Sequence, residues 1–195
     1  MTQSDLSKYN NSWYAPGKNV IICLFWYVIN VIFFRSPAVP FSSLKVFLLR
    51  MFGAQVGKGV RIKPAVNIKY PWRLTIGNNC WIGENVWIDN LDNVVIGNNC
   101  CISQGAMLLC GNHNYKKKTF DLITGKIEME DGAWISAQAI VCPGVTLKSH
   151  SILTVGAIAT RDLEPYTIYQ GNPAVAIRKR IIADEYILQN DNIEI

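Results

Sequence analysis

From Val56 to Leu163 the apolar positions of the chain recur every sixth residue. Val56, Ile62 and Ile68, then Ile76, Ile82 and Ile88, then Ile96, Ile102 and Leu108, and finally Met129, Ile135, Val141, Leu147, Leu153 and Ala159 each open a hexad. All are aliphatic, Met or Ala. With about a third of residues of such types in an ordinary chain, agreement at every one of these positions is a chance of order one in ten million. Four residues further on stand Val60, Val66, Cys80, Val86, Cys100, Ala106, Ala133, Ala139, Val145, Ser151 and Ala157, all small or compact. A period of six matches neither the roughly 3.6 residues of a helix nor the two of an alternating strand. It fits short strands joined by tight turns, with one aliphatic side chain per strand pointing inward and a small residue near each corner. Three hexads then close a triangular coil, and coils stack at the strand spacing of about 4.8 Å. The predicted fold is mainly β, a parallel β-helix. Gly57, Gly77, Gly83 and Gly97 follow inward residues, while Asn78-Asn79, Asn85 and Asn98-Asn99 fall where left-handed backbone is tolerated.

The period breaks three times. The step is eight from Ile68 to Ile76 and from Ile88 to Ile96, and twenty-one from Leu108 to Met129. Each break follows a third hexad, so all three fall at one corner of the stack. There the small-residue rule also fails, with Trp72, Asp92 and Asn112 in its place.

Residues 1–53 have another texture. Val20 to Phe34 is almost wholly apolar, interrupted by Asn30 and closed by Arg35 and Ser36-Pro37. A spanning helix needs about twenty such residues, so this segment is expected to pack on the coils or a partner subunit, or to make a peripheral membrane contact. Ser43 to Phe52 carries Leu44, Phe47, Leu48 and Met51 at helical spacing and ends at Gly53. The expected organisation is a helical segment over 1–53 packing on the coils, the β-helix over 54–182 with a protruding loop at 110–127, and a tail over 183–195.

The chain of 195 residues asks for a single domain. Its net charge of +5 is mild, and Lys116-Lys117-Lys118 and Arg178-Lys179-Arg180 carry it visibly. A phosphate-bearing small ligand accounts for such runs. Nucleic acid is not expected, because neither a recognition-helix pattern nor an aromatic-plus-basic RNA signature occurs. None of the six cysteines forms a C-x-x-C pair, and Cys80 and Cys100 take packing slots. With no cleavable-signal pattern, a reduced cytoplasmic setting is the expectation.

The chain holds two histidines. His150 lies inside a regular hexad and reads as a solvent-side turn residue. His113, in Cys110-Gly111-Asn112-His113-Asn114-Tyr115, sits where the chain leaves the coils, the kind of loop on a rigid scaffold that carries function. Its side chain suits proton transfer near neutrality. Asp89 follows Ile88 as Leu109 follows Leu108, which places it one strand spacing below the start of that loop, where an acid could orient the imidazole or accept a hydrogen bond from a hydroxyl. Turn capping is the plainer role for it. Trp134, Trp81 and Trp87 point outward, as a row of indoles for a ligand or partner to cover.

The hexads, the His113 loop, Asp131-Gly132-Ala133-Trp134-Ile135, Pro143-Gly144-Val145 and Gly171-Asn172-Pro173-Ala174 together resemble the hexapeptide-repeat O-acetyltransferases. Phe52-Gly53-Ala54 to Gly57-Lys58-Gly59, Tyr70-Pro71-Trp72 and Trp87-Ile88-Asp89-Asn90-Leu91-Asp92 are similar to the colanic acid biosynthesis acetyltransferases of bacterial exopolysaccharide clusters. The resemblance covers residues 12–180. It implies a left-handed β-helix, a homotrimer with sites between subunits, acetyl-CoA as donor, a saccharide acceptor that is free or lipid-linked, and no metal. His113 matches the family's general base. Asp89 falls where related sugar acetyltransferases place an Asn that contacts the acceptor. Trp134 matches an aromatic beside acceptor and CoA, and Ala137, Gly156, Thr160, Arg161 and Arg178 match positions near the CoA arm and phosphates. Val175 stands where some relatives carry an Arg, leaving Lys179 or Arg180 to replace that contact.

Other acceptors, namely an amino sugar, an antibiotic or serine, fit the same chemistry, and a non-catalytic trimeric scaffold is the rival outside enzymology. A zinc hydratase would need three histidines. A ping-pong route through Cys110 would need a reactive thiol three residues before His113.

Overall fold

The computed structural model describes residues 3–183. Short parallel strands stack on three faces. The first face joins Gln55–Val56, Leu74–Ile76, Val94–Ile96, Ile127–Met129 and Thr146–Leu147; the second joins Arg61–Ile62, Trp81–Ile82, Cys101–Ile102, Trp134–Ile135, Ile152–Leu153 and Thr167–Gln170; the third joins Asn67–Ile68, Trp87–Asp89, Met107–Leu109, Ile140–Val141 and Ile158–Ala159. The register pairs like with like: Ile62 lies on Ile82, Ile82 on Ile102, and Ile135 on Ile102. Every inward hexad residue from Ile62 to Ala159 is at most 2% exposed, and every predicted small corner residue is buried. The parallel β-helix read from the period is the observed fold.

Two devices hold the corners. At one of them Asn78 Oδ1 accepts from the Lys58 N–H, Asn98 Oδ1 from the Asn78 N–H and Asp131 Oδ1 from the Asn98 N–H, at 2.7–2.9 Å, a ladder of side chains running up the stack. Glycine is required beside it for lack of room: a Cβ on Gly57 would lie 2.6 Å from the Gly77 carbonyl. Asn79, Asn85 and Asn99 adopt positive φ, as their turn positions lead one to expect, and Asn78 and Asn98 act through their side chains instead.

The second device serves the interrupted corner. Asn90, fully buried, accepts the Tyr70 N–H at 2.9 Å and donates to the Tyr70 carbonyl at 2.5 Å. One amide thereby replaces two ladder bonds where the chain bulges outward. All three breaks lie at this corner, between the third and the first face.

The first coil would present unpaired backbone groups at the open end of the stack. Two helices close it. In α1 (Val20–Ile29), continued by a π turn over Asn30–Phe34, Trp26 Nε1 donates to the Ile68 carbonyl at 2.8 Å and Asn30 Oδ1 accepts the Ile68 N–H. In α2 (Ser42–Met51), Ser42 Oγ bridges the N–H and carbonyl of Ile62 at 3.0 Å each, Lys45 Nζ donates to the Lys63 carbonyl at 2.7 Å, and Arg50 donates to the carbonyls of Val56 and Gly57. Each face of the first coil thus receives side-chain partners where a preceding coil is lacking. Both helices match the apolar runs within a residue or so.

The outward indoles do not form one row. Trp81 and Trp134 share the second face with Cys101 between them, whereas Trp87 stands on the third. A six-residue offset moves a side chain to the next face, and only the coil length of about twenty keeps it on the same one.

Asn90→Ala is expected to destabilise the fold by about 2–6 kcal/mol, since it strands two backbone groups at about 1–3 kcal/mol each. Urea denaturation measures it, and a loss below about 0.5 kcal/mol would mean that water replaces the amide.

Candidate functional site

After Leu109 the chain turns out into an antiparallel hairpin, Gly111–His113 pairing with Leu122–Thr124. Gly111 packs directly on Leu91 Cδ1 of the coil below, so a Cβ there would make that side chain shift. His113 lies partly buried at the top of the hairpin, with Phe120 stacked on its ring at 4.7 Å and 11° between planes. The contact that fixes its chemistry is Nδ1 to the Phe120 carbonyl oxygen at 2.9 Å. A carbonyl can only accept, so Nδ1 carries the hydrogen and the lone pair of the neutral ring resides on Nε2. Among the described residues, the ring's hydrogen bonds run through Nδ1, which leaves Nε2 for an incoming proton.

The segment before α1 braces this loop. Asp5 N–H donates to the Lys118 carbonyl at 2.9 Å, Lys117 pairs with Asp121 at 2.9 Å across the tip, and the Tyr9 ring tilts against His113 at 5.9 Å. Further along, Tyr14 donates to the Leu91 carbonyl at 2.9 Å, and burial pushes its phenol pKa well up, so it remains a donor. Arg73 donates to the carbonyls of Leu91 and Ala15 with its guanidinium over the Tyr14 ring, and Trp72 donates to the Pro16 carbonyl at 2.6 Å. Residues 5–17 therefore form a strap over the corner at which the period breaks. Trp72, which departed from the small-residue rule, is one of its anchors.

Asp89 stands where the spacing placed it, paired in register with Leu109. Its carboxylate does not turn to His113: it forms an ion pair with Lys69 Nζ at 2.9 Å. The Phe120 carbonyl orients the imidazole instead. Asp89 and Lys69 line a groove of about 370 Å³ between the third face and α1, shared with Tyr70, Trp87, Asn67 and Tyr27. His113 is not part of its wall. Within the chain the two predicted groups occupy the same corner but different surfaces.

Of the other predicted positions, Trp134 donates from Nε1 to Ser103 Oγ at 2.9 Å on the second face. Ala137 and Gly156 stack in successive coils, the Gly156 N–H donating to the Ala137 carbonyl at 3.0 Å. Thr160 and Arg161 are exposed one coil position on, and Arg178 is exposed on the hairpin strand Val175–Lys179, opposite Ile168. His150 is the turn residue expected, with positive φ and Tyr166 stacked on it at 4.7 Å. Cys110 is fully buried, and burial pushes its thiol up to about 12, which removes it as a nucleophile near neutrality. Among the described residues no cluster of His, Cys, Asp or Glu could hold a metal. Sequence reasoning missed Phe120 and Tyr9. An aromatic within the excursion was the signal for Phe120; nothing in the pattern marked Tyr9.

No protein-family model matches the sequence. The chain is 35% identical over 168 residues, 86% of its own length and 92% of the other, to the Escherichia coli (strain K12) protein named colanic acid biosynthesis acetyltransferase WcaF. It is 28% identical over 135 residues, 68% of this chain and 66% of the other, to the galactoside O-acetyltransferase of the same organism. Among solved structures, the hexapeptide-repeat acetyltransferase VCA0836 of Vibrio cholerae, crystallised with acetyl coenzyme A, superposes with a TM-score of 0.74 at 18% identity, covering 83% of this chain and 88% of that one. A likeness at that identity establishes the fold, including the left-handed winding that the resemblance implied.

Asp89→Asn is expected to leave the fold intact and to cost less than about 1 kcal/mol, because Lys69 is substantially exposed and such pairs contribute little. Thermal unfolding reads it, and a loss of several kcal/mol would show that the pair holds the corner together.

Proposed function

This chain belongs to the hexapeptide-repeat acetyltransferases, and from that premise we propose that it transfers the acetyl group of acetyl-CoA to a hydroxyl of a saccharide, with His113 as general base. The observation that carries the reading is the bond from His113 Nδ1 to the Phe120 carbonyl, which leaves the lone pair on Nε2. A sugar hydroxyl is a poor nucleophile until a positioned base takes its proton. Nε2 would accept that proton as the hydroxyl oxygen bonds to the thioester carbonyl carbon. Collapse of the tetrahedral adduct would break the carbon–sulfur bond, and the imidazolium would return the proton to the leaving thiolate. General-base catalysis of this kind is worth about 10²–10⁴ in rate. Backbone N–H groups of the Trp134 to Ala137 segment would stabilise the oxyanion, and holding both substrates in one cleft supplies a further share.

The donor would lie along the stacked Ala137 and Gly156 turns with Trp134 beside it, its phosphates reaching Thr160, Arg161 and Arg178. Asp89 would then serve the acceptor rather than the base, since its carboxylate opens on the groove lined by Trp87 and Tyr70, a mixture of aromatic faces and charge suited to a sugar. The separation of that groove from His113 within one protomer favours a homotrimer in which neighbouring subunits complete each site, and the exposed Trp81 and Trp134 supply surface for such packing. The name of the 35% identical relative points to an exopolysaccharide unit like that of colanic acid as acceptor, and that of the galactoside enzyme to a sugar hydroxyl.

His113→Ala is expected to lower turnover by about two to four decades with CoA binding and oligomeric state unchanged. Steady-state assay with calorimetric CoA titration tests it: undiminished turnover removes the base, and absent CoA binding by the wild-type protein favours the scaffold alternative. Arg178→Ala should weaken CoA roughly tenfold without altering acceptor preference, as loss of one charge-assisted phosphate contact would. An unchanged affinity places the phosphates elsewhere.

A further inference from the structure

The segment from Val20 to Phe34 is apolar on every side, a pattern that ordinarily belongs to a buried helix. Its inner side accounts for Trp26 and Phe34, packed against the coils. Its outer side does not: Ile21, Leu24, Phe25, Val28 and Ile32 recur at helical spacing, and each is 50–63% exposed. No charged residue interrupts the stretch between Lys18 and Arg35. Fifteen residues at about 1.5 Å each reach about 22 Å, short of the roughly 30 Å hydrocarbon core of a bilayer. Among the described residues no helix is long and apolar enough to cross a membrane.

Charge sharpens the reading. From Leu6 to Gly83 the chain contains ten Lys and Arg and not one Asp or Glu, while residues 84–195 contain nine Lys and Arg against thirteen Asp and Glu. The net charge of +5 therefore belongs to the N-terminal part of the sequence, since Lys and Arg do not exceed Asp and Glu over residues 84–195. Lys58, Arg61 and Lys63 stand exposed on the coil that α1 and α2 close, with Lys18 and Arg35 bracketing the apolar stripe. A second copy of the chain would set two surfaces of net positive charge against each other, the Asp89 carboxylate beside α1 being already paired with Lys69. A plane that is apolar inside and negative at its rim matches both features.

We infer that the outer face of α1 docks on the surface of an anionic lipid bilayer, the helix lying in the interface with Ile21, Leu24, Phe25, Val28 and Ile32 toward the acyl chains and the flanking cations toward the headgroups. This inference does not depend on the acetyl-transfer chemistry. An acceptor carried on a lipid would nonetheless be met there.

The test is cosedimentation of the full chain with vesicles of phosphatidylcholine alone or mixed with phosphatidylglycerol, at low and high salt. Binding is expected to the mixed vesicles, weakening with salt, and the double substitution Leu24→Glu, Phe25→Glu should reduce it by about tenfold or more. Phe25→Ala should reduce it by a smaller factor and provides the reading if the double variant does not fold, as judged by circular dichroism. No binding to the mixed vesicles, equal binding to both kinds, or undiminished binding by the variants overturns the inference. So does a change of mass in analytical ultracentrifugation on substitution, which would assign the face to contacts between copies.

Discussion

The backbone hydrogen bonds between coils determine where anything else can be. Each short strand pairs in fixed register with the strands of the coils before and after it, so the aliphatic columns stay in line only if residues beyond the repeat are kept out of the strands. Residues in excess have one way out, which is a corner. The three excursions of this chain leave by the same one, and the largest carries His113. A loop on such a scaffold inherits the rigidity of its roots: Gly111 rests on Leu91, Cys110 N–H on the Asp89 carbonyl, and Gly125 N–H on the Cys110 carbonyl.

Regularity also explains what was legible from sequence alone. The inward columns and corner residues could be read because each neighbour lies at a fixed offset. Asp89 could be set under Leu109 by the same arithmetic, and its true partner Lys69 was within reach of it, since Lys69 follows Ile68 as Asp89 follows Ile88. The apolar runs of α1 and α2 announced themselves by composition. What was not legible obeys no period: Tyr14 reaching Leu91, Trp72 reaching Pro16 and the Phe120 carbonyl reaching back to His113. Backbone carbonyls leave no trace in a sequence, and the one that fixes the tautomer of His113 belongs to a residue that looks like loop filling.

The end of the stack shows the same logic in reverse. A repeat protein must finish somewhere, and terminal units differ from the rest because they have a neighbour on one side only. Here the substitutes are polar atoms on otherwise apolar helices. Lys45 is wholly buried to bring its ammonium to the Lys63 carbonyl, and Asn30 is buried to serve Ile68. These residues look misplaced in an apolar segment, and their use becomes plain only when the missing coil is considered.

The strap over the broken corner bears on the order of assembly. Coil contacts join residues 20 apart in the early coils and 33 apart across the His113 excursion, whereas the strap joins residues 56 and 77 apart, and Asp5 to Lys118 spans more. Closing the longer loops costs more chain entropy and gains nothing until the coils beneath are in place. A nascent or partly unfolded chain can therefore possess its aliphatic core and still lack the brace on the His113 loop, so that docking of the strap is the closing event of folding.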